Sequence, residues 1–97
     1  EVEFVASLAG AGFHPIAWAT TVETGHAMLR AGAGSLVMHP GVVEPTARPA
    51  AALRASLALR ALRGEAGAVP LLLHCPADYG AELGAARAAA DGIVRLA

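Results

Sequence analysis

Residues 26 to 41 read His-Ala-Met-Leu-Arg-Ala-Gly-Ala-Gly-Ser-Leu-Val-Met-His-Pro-Gly. The first part of this stretch predicts a helix, and Gly32 and Gly34 mark its end because glycine adopts the backbone conformations that terminate helices. The apolar run from Ser35 to His39 then predicts a short strand. The stretch therefore predicts a helix that passes through a glycine turn directly into a strand.

The same passage from helix to strand recurs along the chain. Helices are predicted at 1–11, from 20 to the turn at 32–34, at 49–63 and at 79–90, and strands at 13–19, 35–39, 69–75 and 92–96. Neighbouring parallel strands need a crossover connection, so short apolar strands separated by helices predict a parallel sheet covered by helices. The predicted fold class is α/β, with the element order αβαβαβαβ.

Two helices carry more detailed signals. Thr20 and Glu23 fit a capping box, in which the Thr20 hydroxyl accepts a hydrogen bond from the Glu23 amide at the start of the second helix. In the third helix the leucines fall on separate faces, and this pattern predicts that the helix is covered on more than one side. The two pairs are Leu53 with Leu57, and Leu59 with Leu62.

Two architectures have this order of elements. They are an open doubly wound sheet and a closed barrel of about 250 residues. The Gly-x-Gly-x-x-Gly turn of dinucleotide-binding folds is absent, which disfavours the open sheet. With 97 residues, the chain has room for one small domain, or for about half of a barrel.

Composition excludes several classes of function. The apolar runs are too short for a membrane span, which needs about 18 uninterrupted residues, so we expect a soluble protein with no membrane partner. The net charge is −1, and the seven cations are scattered arginines. The chain therefore has no basic stripe for nucleic acid and no lysine for Schiff-base or P-loop chemistry.

The cysteine content bears on the compartment, and the apolar content bears on partners. Cys75 is the only cysteine, which excludes an internal disulfide and a CxxC zinc site and favours a reducing cytoplasm. A hydrophobic fraction of 56% and a mean hydropathy of +0.53 are high for a small soluble domain. We therefore expect apolar surface to meet a partner, either the remaining half of a barrel or a second copy of the chain.

Residues 1 to 5, Glu-Val-Glu-Phe-Val, together with the stretch at 26–41, resemble the phosphoenolpyruvate hydrolase-like TIM-barrel family, an indole-glycerol-phosphate-synthase-like barrel. This family also supplies the barrel domain of a plant tobamovirus-resistance protein. Its alanine- and methionine-rich helix leads through an Ala-Gly-Ala turn into a strand that ends His-x-Gly, here His39-Pro40-Gly41. The resemblance implies that residues 1–97 are a partial domain, about half of a (β/α)8 TIM barrel, from its C-terminal half.

The resemblance also implies a ligand and a reaction class. The family belongs with the pyruvate- and phosphoenolpyruvate-binding barrels, which implies a small anionic oxo acid as ligand and hydrolase or lyase chemistry. The chain departs from the family in two segments, 42–46 and 74–77, that would both lie at the barrel mouth. The sequence identifies no cofactor, and the candidate metal is a divalent cation such as Mg²⁺.

Ligands of parallel α/β folds bind at the carboxyl ends of the strands. His39 and His74 end the second and third strands, so they are the predicted catalytic residues, sharing acid/base work or a metal. The alternative is that both are strand-end histidines bonded to loop carbonyls. The predicted substrate-binding residues are Gly41, Glu44 and Arg95, and the other residues at strand ends are Trp18, Thr20, Cys75 and Asp78.

Simpler structural roles are expected for several of these residues. Cys75 is predicted to be buried and inert, while Thr20 and Asp78 are predicted helix caps. His14 and His26 are predicted to be structural or solvent-facing. For the chain as a whole, two other functions stay open: a non-catalytic module that binds a ligand or a protein, and another phosphate-binding βα-barrel enzyme, such as the indole-glycerol-phosphate synthase type.

Overall fold

The computed structural model of the protein describes residues 2–39, 45–74 and 84–94. The helices are α1 (Val2–Gly10), α2 (Val22–Arg30), α3 (Arg48–Ala66) and α4 (Gly84–Ala89), and a 3-10 turn at Pro45–Ala47 precedes α3. The strands are β1 (Ile16–Ala19), β2 (Ser35–Met38), β3 (Leu71–His74) and β4 (Gly92–Val94). Helices and strands alternate along the chain, as the sequence predicts. No helix in these described ranges is long and apolar enough to cross a membrane.

The four strands form one parallel sheet in the order β1-β2-β3-β4. This arrangement confirms the prediction that strands consecutive in sequence are neighbours in the sheet. The first strand begins at Ile16, later than predicted. Just before it, the Pro15 carbonyl accepts from the amide of Gly34, the residue before β2, at 2.8 Å. The last residues of the third and fourth predicted strands, 75 and 95–96, lie outside the described residues.

The described helices contribute to a core on one face of the sheet. The core cluster takes alternate strand residues, among them Ala17, Leu36 and Leu71 in one row and Ala19, Met38 and Leu73 in the next. The intervening strand residues point to the other face, because side chains alternate along a strand. On that face the β1 residues Ile16 and Trp18 are exposed. A sheet with helices on a single face is therefore the arrangement of the described part of the chain.

Helix α3 supplies much of the core through small residues. Its buried residues occupy one arc of about 140° at 100° per residue; they are Ala51, Ala52, Ala55, Ser56, Leu59, Leu62 and Ala66. Leu53 and Leu57 lie on the opposite side and are exposed. The prediction that this helix is covered on more than one side was therefore wrong for the described structure. Its amphipathicity is weak because alanine lines the inner face while two leucines face outward.

The start of α2 differs from the predicted capping box by one residue. The cap is Thr21, whose hydroxyl accepts from the Thr24 amide at 3.1 Å. The shift follows from the helix start at Val22, which makes Thr24 the third helical residue. The end of α2 agrees with the prediction, since Gly32 has a φ of 100° that only glycine adopts easily.

The amino ends of β3 and β4 are joined by Asp91 and Arg63. The Asp91 carboxylate accepts from the Leu71 amide at 2.8 Å and from the Arg63 guanidinium at 2.8 and 3.0 Å. Arg63 also donates to the Ala89 carbonyl at 2.8 Å. The hydrogen bonds from the Arg63 guanidinium and, to a smaller extent, from the Leu71 amide lower the pKa of Asp91. Asp91 and Arg63 together therefore tie α3, α4 and the start of β3 to one another.

Candidate functional site

Three aromatic side chains meet at the carboxyl ends of the first three strands. Met38 pairs with Leu73 in the core-facing row, so His39, directly after β2, and His74, the last residue of β3, occupy the next position along the sheet. Both imidazoles therefore lie on the sheet face opposite the helices, together with Trp18. The structure brings together the two predicted catalytic histidines, and the prediction that they lie at neighbouring strand ends agrees with this placement.

The two imidazoles are stacked. Their ring centroids are 4.6 Å apart and their planes differ by 8°. Trp18 packs against both rings at a tilt, with centroid distances of 6.0 Å to His39 and 5.5 Å to His74. The indole therefore supplies an apolar wall beside the two imidazoles.

His74 is the more buried member of the pair. It is only 8% exposed, and its Nδ1 atom has no hydrogen-bond partner in the described part of the chain. Buried polar atoms in proteins are normally paired, and leaving one unpaired costs about 1–3 kcal/mol. An unpaired buried nitrogen next to a second imidazole is the strongest sign of a functional site in the described structure.

The environment of His39 favours its neutral form. Burial lowers the pKa of His39, and the neighbouring His74 lowers it further because two protonated imidazoles would repel each other. His39 is therefore uncharged at neutral pH and is able to accept a proton there. This is the protonation state that a general base requires.

The stacked geometry suits proton transfer better than shared metal binding. The nitrogen lone pairs of an imidazole lie in its ring plane, so two parallel rings do not direct their lone pairs at one ion. The described residues contain no group of three or more potential metal-binding side chains. Mg²⁺ also prefers oxygen ligands, so the imidazoles at this mouth do not fit the metal that the sequence analysis considered.

A cleft of about 360 Å³ opens beside the cluster, lined by Trp18, Ala19, Thr20, Thr24 and His39. The start of α2 forms one side of this cleft, which Thr20 and Thr24 line together with His39. Thr24 is the residue that sequence reasoning missed. Reasoning from strand ends did not select it, because Thr24 lies in the first turn of α2, three residues after the cap residue Thr21.

The other predicted site residues lie outside the described residues. Gly41 and Glu44 follow β2, Cys75 and Asp78 follow β3, and Arg95 follows β4. Their predicted roles stay predictions. His26 contacts the Glu65 carboxylate, and this contact joins α2 to α3 away from the mouth, consistent with its predicted structural role.

A larger groove of about 460 Å³ lies between the start of α2 and the outer side of α3. Four apolar and four polar or charged residues line it: Val22, Leu57, Ala58 and Ala61, with Thr20, Thr21, Glu23 and Arg54. Neither imidazole is among them. We place the candidate site at the smaller cleft because that cleft borders the stacked imidazoles.

Comparison of the chain with protein-family models, with curated proteins and with solved structures finds no match.

Proposed function

We propose that this chain is half of a (β/α)8 barrel that binds a small anionic oxo acid of the pyruvate or enolpyruvate class at the carboxyl ends of its strands. The observation that carries the proposal is the stacked His39–His74 pair with its buried, unpaired nitrogen. A buried polar atom without a partner is relieved when a ligand supplies one. The proposed ligand supplies carboxylate and enol or keto oxygens.

The direction of winding supports a half barrel. In a doubly wound sheet, helices cover both faces and the strand order reverses at one point. Here the strands run in sequence order, and the described helices pack into one core on one face. This arrangement is compatible with consecutive units of a βα barrel, in which all helices lie outside and the strand ends form the mouth.

Each mouth residue has a role suited to the proposed ligand. His74, donating from Nδ1 in one neutral tautomer, bonds a carboxylate oxygen, and the amino end of α2 adds a favourable field for negative charge. His39, neutral at pH 7, accepts or returns the proton that an enol and its keto form exchange. Trp18 excludes water from one side of the acid. Hydrolase or lyase chemistry of the resembled family requires such proton transfers.

A non-catalytic ligand-binding module is the second candidate. The described residues at the mouth supply imidazoles and hydroxyls, which are able to hydrogen-bond the oxygens of an oxo acid. A site that binds an oxo acid without turning it over needs no more than these groups. Detection of binding without any change in the acid over time would favour this candidate over the enzyme.

Calorimetric titration with pyruvate and with phosphoenolpyruvate tests the proposal. Replacing His39 with Asn should weaken binding by about 10-fold or more, equivalent to about 1.4 kcal/mol. The matched control is His14→Asn, which changes an exposed histidine at the opposite end of β1 and should leave binding unchanged. Failure of the parent protein to bind either acid, or equal binding by both variants, would contradict the proposed site.

A further inference from the structure

The cleft beside His39 is larger than pyruvate itself requires. Its volume is about 360 Å³, which falls within the range of about 300–1,000 Å³ that is typical of sites for drug-sized ligands. Pyruvate has a three-carbon skeleton and would fill only a small part of this space. An acid that fills the cleft therefore carries a further substituent beside its oxo and carboxylate groups.

The lining of the cleft has a polar part and an apolar part. Thr20, Thr24 and His39 supply two hydroxyls and an imidazole, while Trp18 and Ala19 are apolar. Of these described lining residues, none has a permanently charged side chain, and burial lowers the pKa of His39, which favours its neutral form. Burying a charged group without a partner is costly. The lining therefore suits an uncharged substituent better than a phosphate or a second carboxylate.

Trp18 is the apolar side chain of this lining that a substituent is able to reach. It is 38% exposed, whereas Ala19 is 3% exposed. On the next strand, Val37 pairs with Trp18 and is 1% exposed, so little apolar surface is accessible there. Aromatic rings pack on one another in stacked or edge-to-face arrangements that are more favourable than their area burial alone. The exposed part of the indole therefore favours an aromatic ring as the substituent.

Thr24 has a hydroxyl proton to donate to the oxo-acid group. Its hydroxyl oxygen accepts a hydrogen bond from the Thr21 hydroxyl at 3.0 Å, and the Thr21 hydroxyl accepts from the Thr24 amide at 3.1 Å. Neither of these bonds uses the hydroxyl proton of Thr24, so that proton is able to bond a ligand oxygen. The bond from Thr21 also polarises the Thr24 hydroxyl and strengthens it as a donor.

We infer that the ligand of this cleft is an oxo acid with an aromatic substituent, an arylpyruvate, whose ring packs against Trp18 and whose oxo and carboxylate oxygens bond Thr24 and His39. The inference rests on the proposed function, since it takes the site to bind oxo acids, and it adds the substituent and its orientation. The ring centroids of Trp18 and His39 are 6.0 Å apart, so one small molecule is able to contact both. Trp18 then determines specificity within the class.

Calorimetric titration with three acids tests the substituent and the oxo group. Phenylpyruvate should bind about 10-fold more tightly than pyruvate, because its ring is buried against the indole. Phenylpropanoate has the same ring and carboxylate without the oxo oxygen, so it should bind about 10-fold more weakly than phenylpyruvate. Equal affinity of phenylpyruvate for either comparison acid would overturn the inference. Binding of pyruvate alone would leave the proposed function standing, whereas binding of none of the three would contradict both.

Substitutions of Trp18 separate a role in specificity from a role in structure. Trp18→Leu should weaken phenylpyruvate binding about 10-fold and pyruvate binding by less than about twofold, and Trp18→Phe should restore most of the loss because it returns an aromatic ring. The matched control is Phe13→Leu, which removes an exposed aromatic ring before the amino end of β1 and should change neither affinity. Equal weakening of both acids by Trp18→Leu would show that the indole acts only as a structural partner of the imidazoles.

Substitutions of Thr24 test the orientation of the acid. Thr24→Val keeps the shape of the side chain and the backbone amide that Thr21 accepts from, but it removes the hydroxyl. It should therefore weaken phenylpyruvate and pyruvate by the same factor, about 10-fold, because both acids have the same oxo and carboxylate groups. Thr24→Ser keeps the hydroxyl and should bind both acids like the parent. Unchanged binding by Thr24→Val would overturn the inferred orientation.

A further measurement needs no substitution and does not depend on whether a variant folds. Trp18 is the only tryptophan of the chain, so its indole N–H gives a single NMR signal. Phenylpyruvate should shift this signal with the dissociation constant that calorimetry measures, and pyruvate should shift it much less. An indole signal that does not move at saturating phenylpyruvate would overturn the inference, because the ring of the bound acid would then lie away from Trp18.

Discussion

The polar groups at the two ends of the sheet differ in whether their hydrogen bonds are satisfied. At the amino end, the Asp91 carboxylate accepts hydrogen bonds from Arg63 and from the Leu71 amide. At the carboxyl end, His74 is buried with an Nδ1 atom that has no partner in the described residues. The amino end is therefore built for stability, and the carboxyl end keeps an unsatisfied group beside the stacked imidazoles, the division expected of βα folds.

The largest effect on stability is expected from a substitution at Gly34, at the amino end of β2. A Cβ atom at this position would lie 2.7–2.9 Å from atoms of His14, two of them backbone atoms. Gly34→Ala should therefore destabilise the protein by about 1–3 kcal/mol, because backbone moves less readily than a side chain tip. The measurement is urea unfolding followed by circular dichroism.

The control for this substitution is Gly64→Ala in the exposed part of α3, where an added Cβ has no neighbour within 4 Å. It should stabilise the protein by about 0.5–1 kcal/mol, since alanine is the better helix former. If both variants were equally stable, the close packing of the amino end would not be the constraint that the structure indicates.

At the carboxyl end of the sheet, by contrast, a substitution is expected to stabilise the protein. His74→Phe removes the unpaired nitrogen and keeps a ring beside Trp18 and His39, so the free energy of unfolding should rise by about 1 kcal/mol. The same variant should lose binding of pyruvate-class acids. Thermal unfolding and calorimetry of one preparation measure both effects, and a variant that is clearly less stable than the parent would show that His74 is a structural residue.

A smaller effect is expected at Asp91. Its pKa is lowered in the folded protein, so its carboxylate stabilises the fold above its unfolded pKa, near 3.9, and this contribution is lost as the pH falls through the lower folded pKa. Asp91→Asn should therefore melt at a lower temperature than the parent at neutral pH, and the difference should shrink in acid. A difference that is independent of pH would show that the charge of Asp91 is not involved.

Much of the fold followed from local sequence signals. Short apolar runs located the four strands, and glycines after α2 located its end, because burial and backbone conformation act over a few residues. The cap at Thr21 was displaced by one residue because Thr20 and Thr21 are both able to cap a helix. The inner face of α3 was misjudged because alanine, which lines it, contributes little to a pattern of hydrophobicity.

Contacts between distant residues could not be derived in the same way. Arg63 and Asp91 are 28 residues apart, and nothing local to either residue indicates their pairing. His39 and His74 are also distant, but the rule that parallel strands end at one edge identified them. The stacking of their rings and the participation of Trp18 depend on strand register, which the sequence does not specify.

The most direct test of the central claim is an NMR titration that follows the imidazole signals of the four histidines as pyruvate is added. His39 and His74 should shift together with the same apparent dissociation constant. His14, which is exposed near the amino end of β1, and His26, which contacts Glu65, are internal controls and should not move. Equal shifts of all four signals, or no shift of His39 and His74 at saturating pyruvate, would contradict the claim that the stacked pair binds the acid.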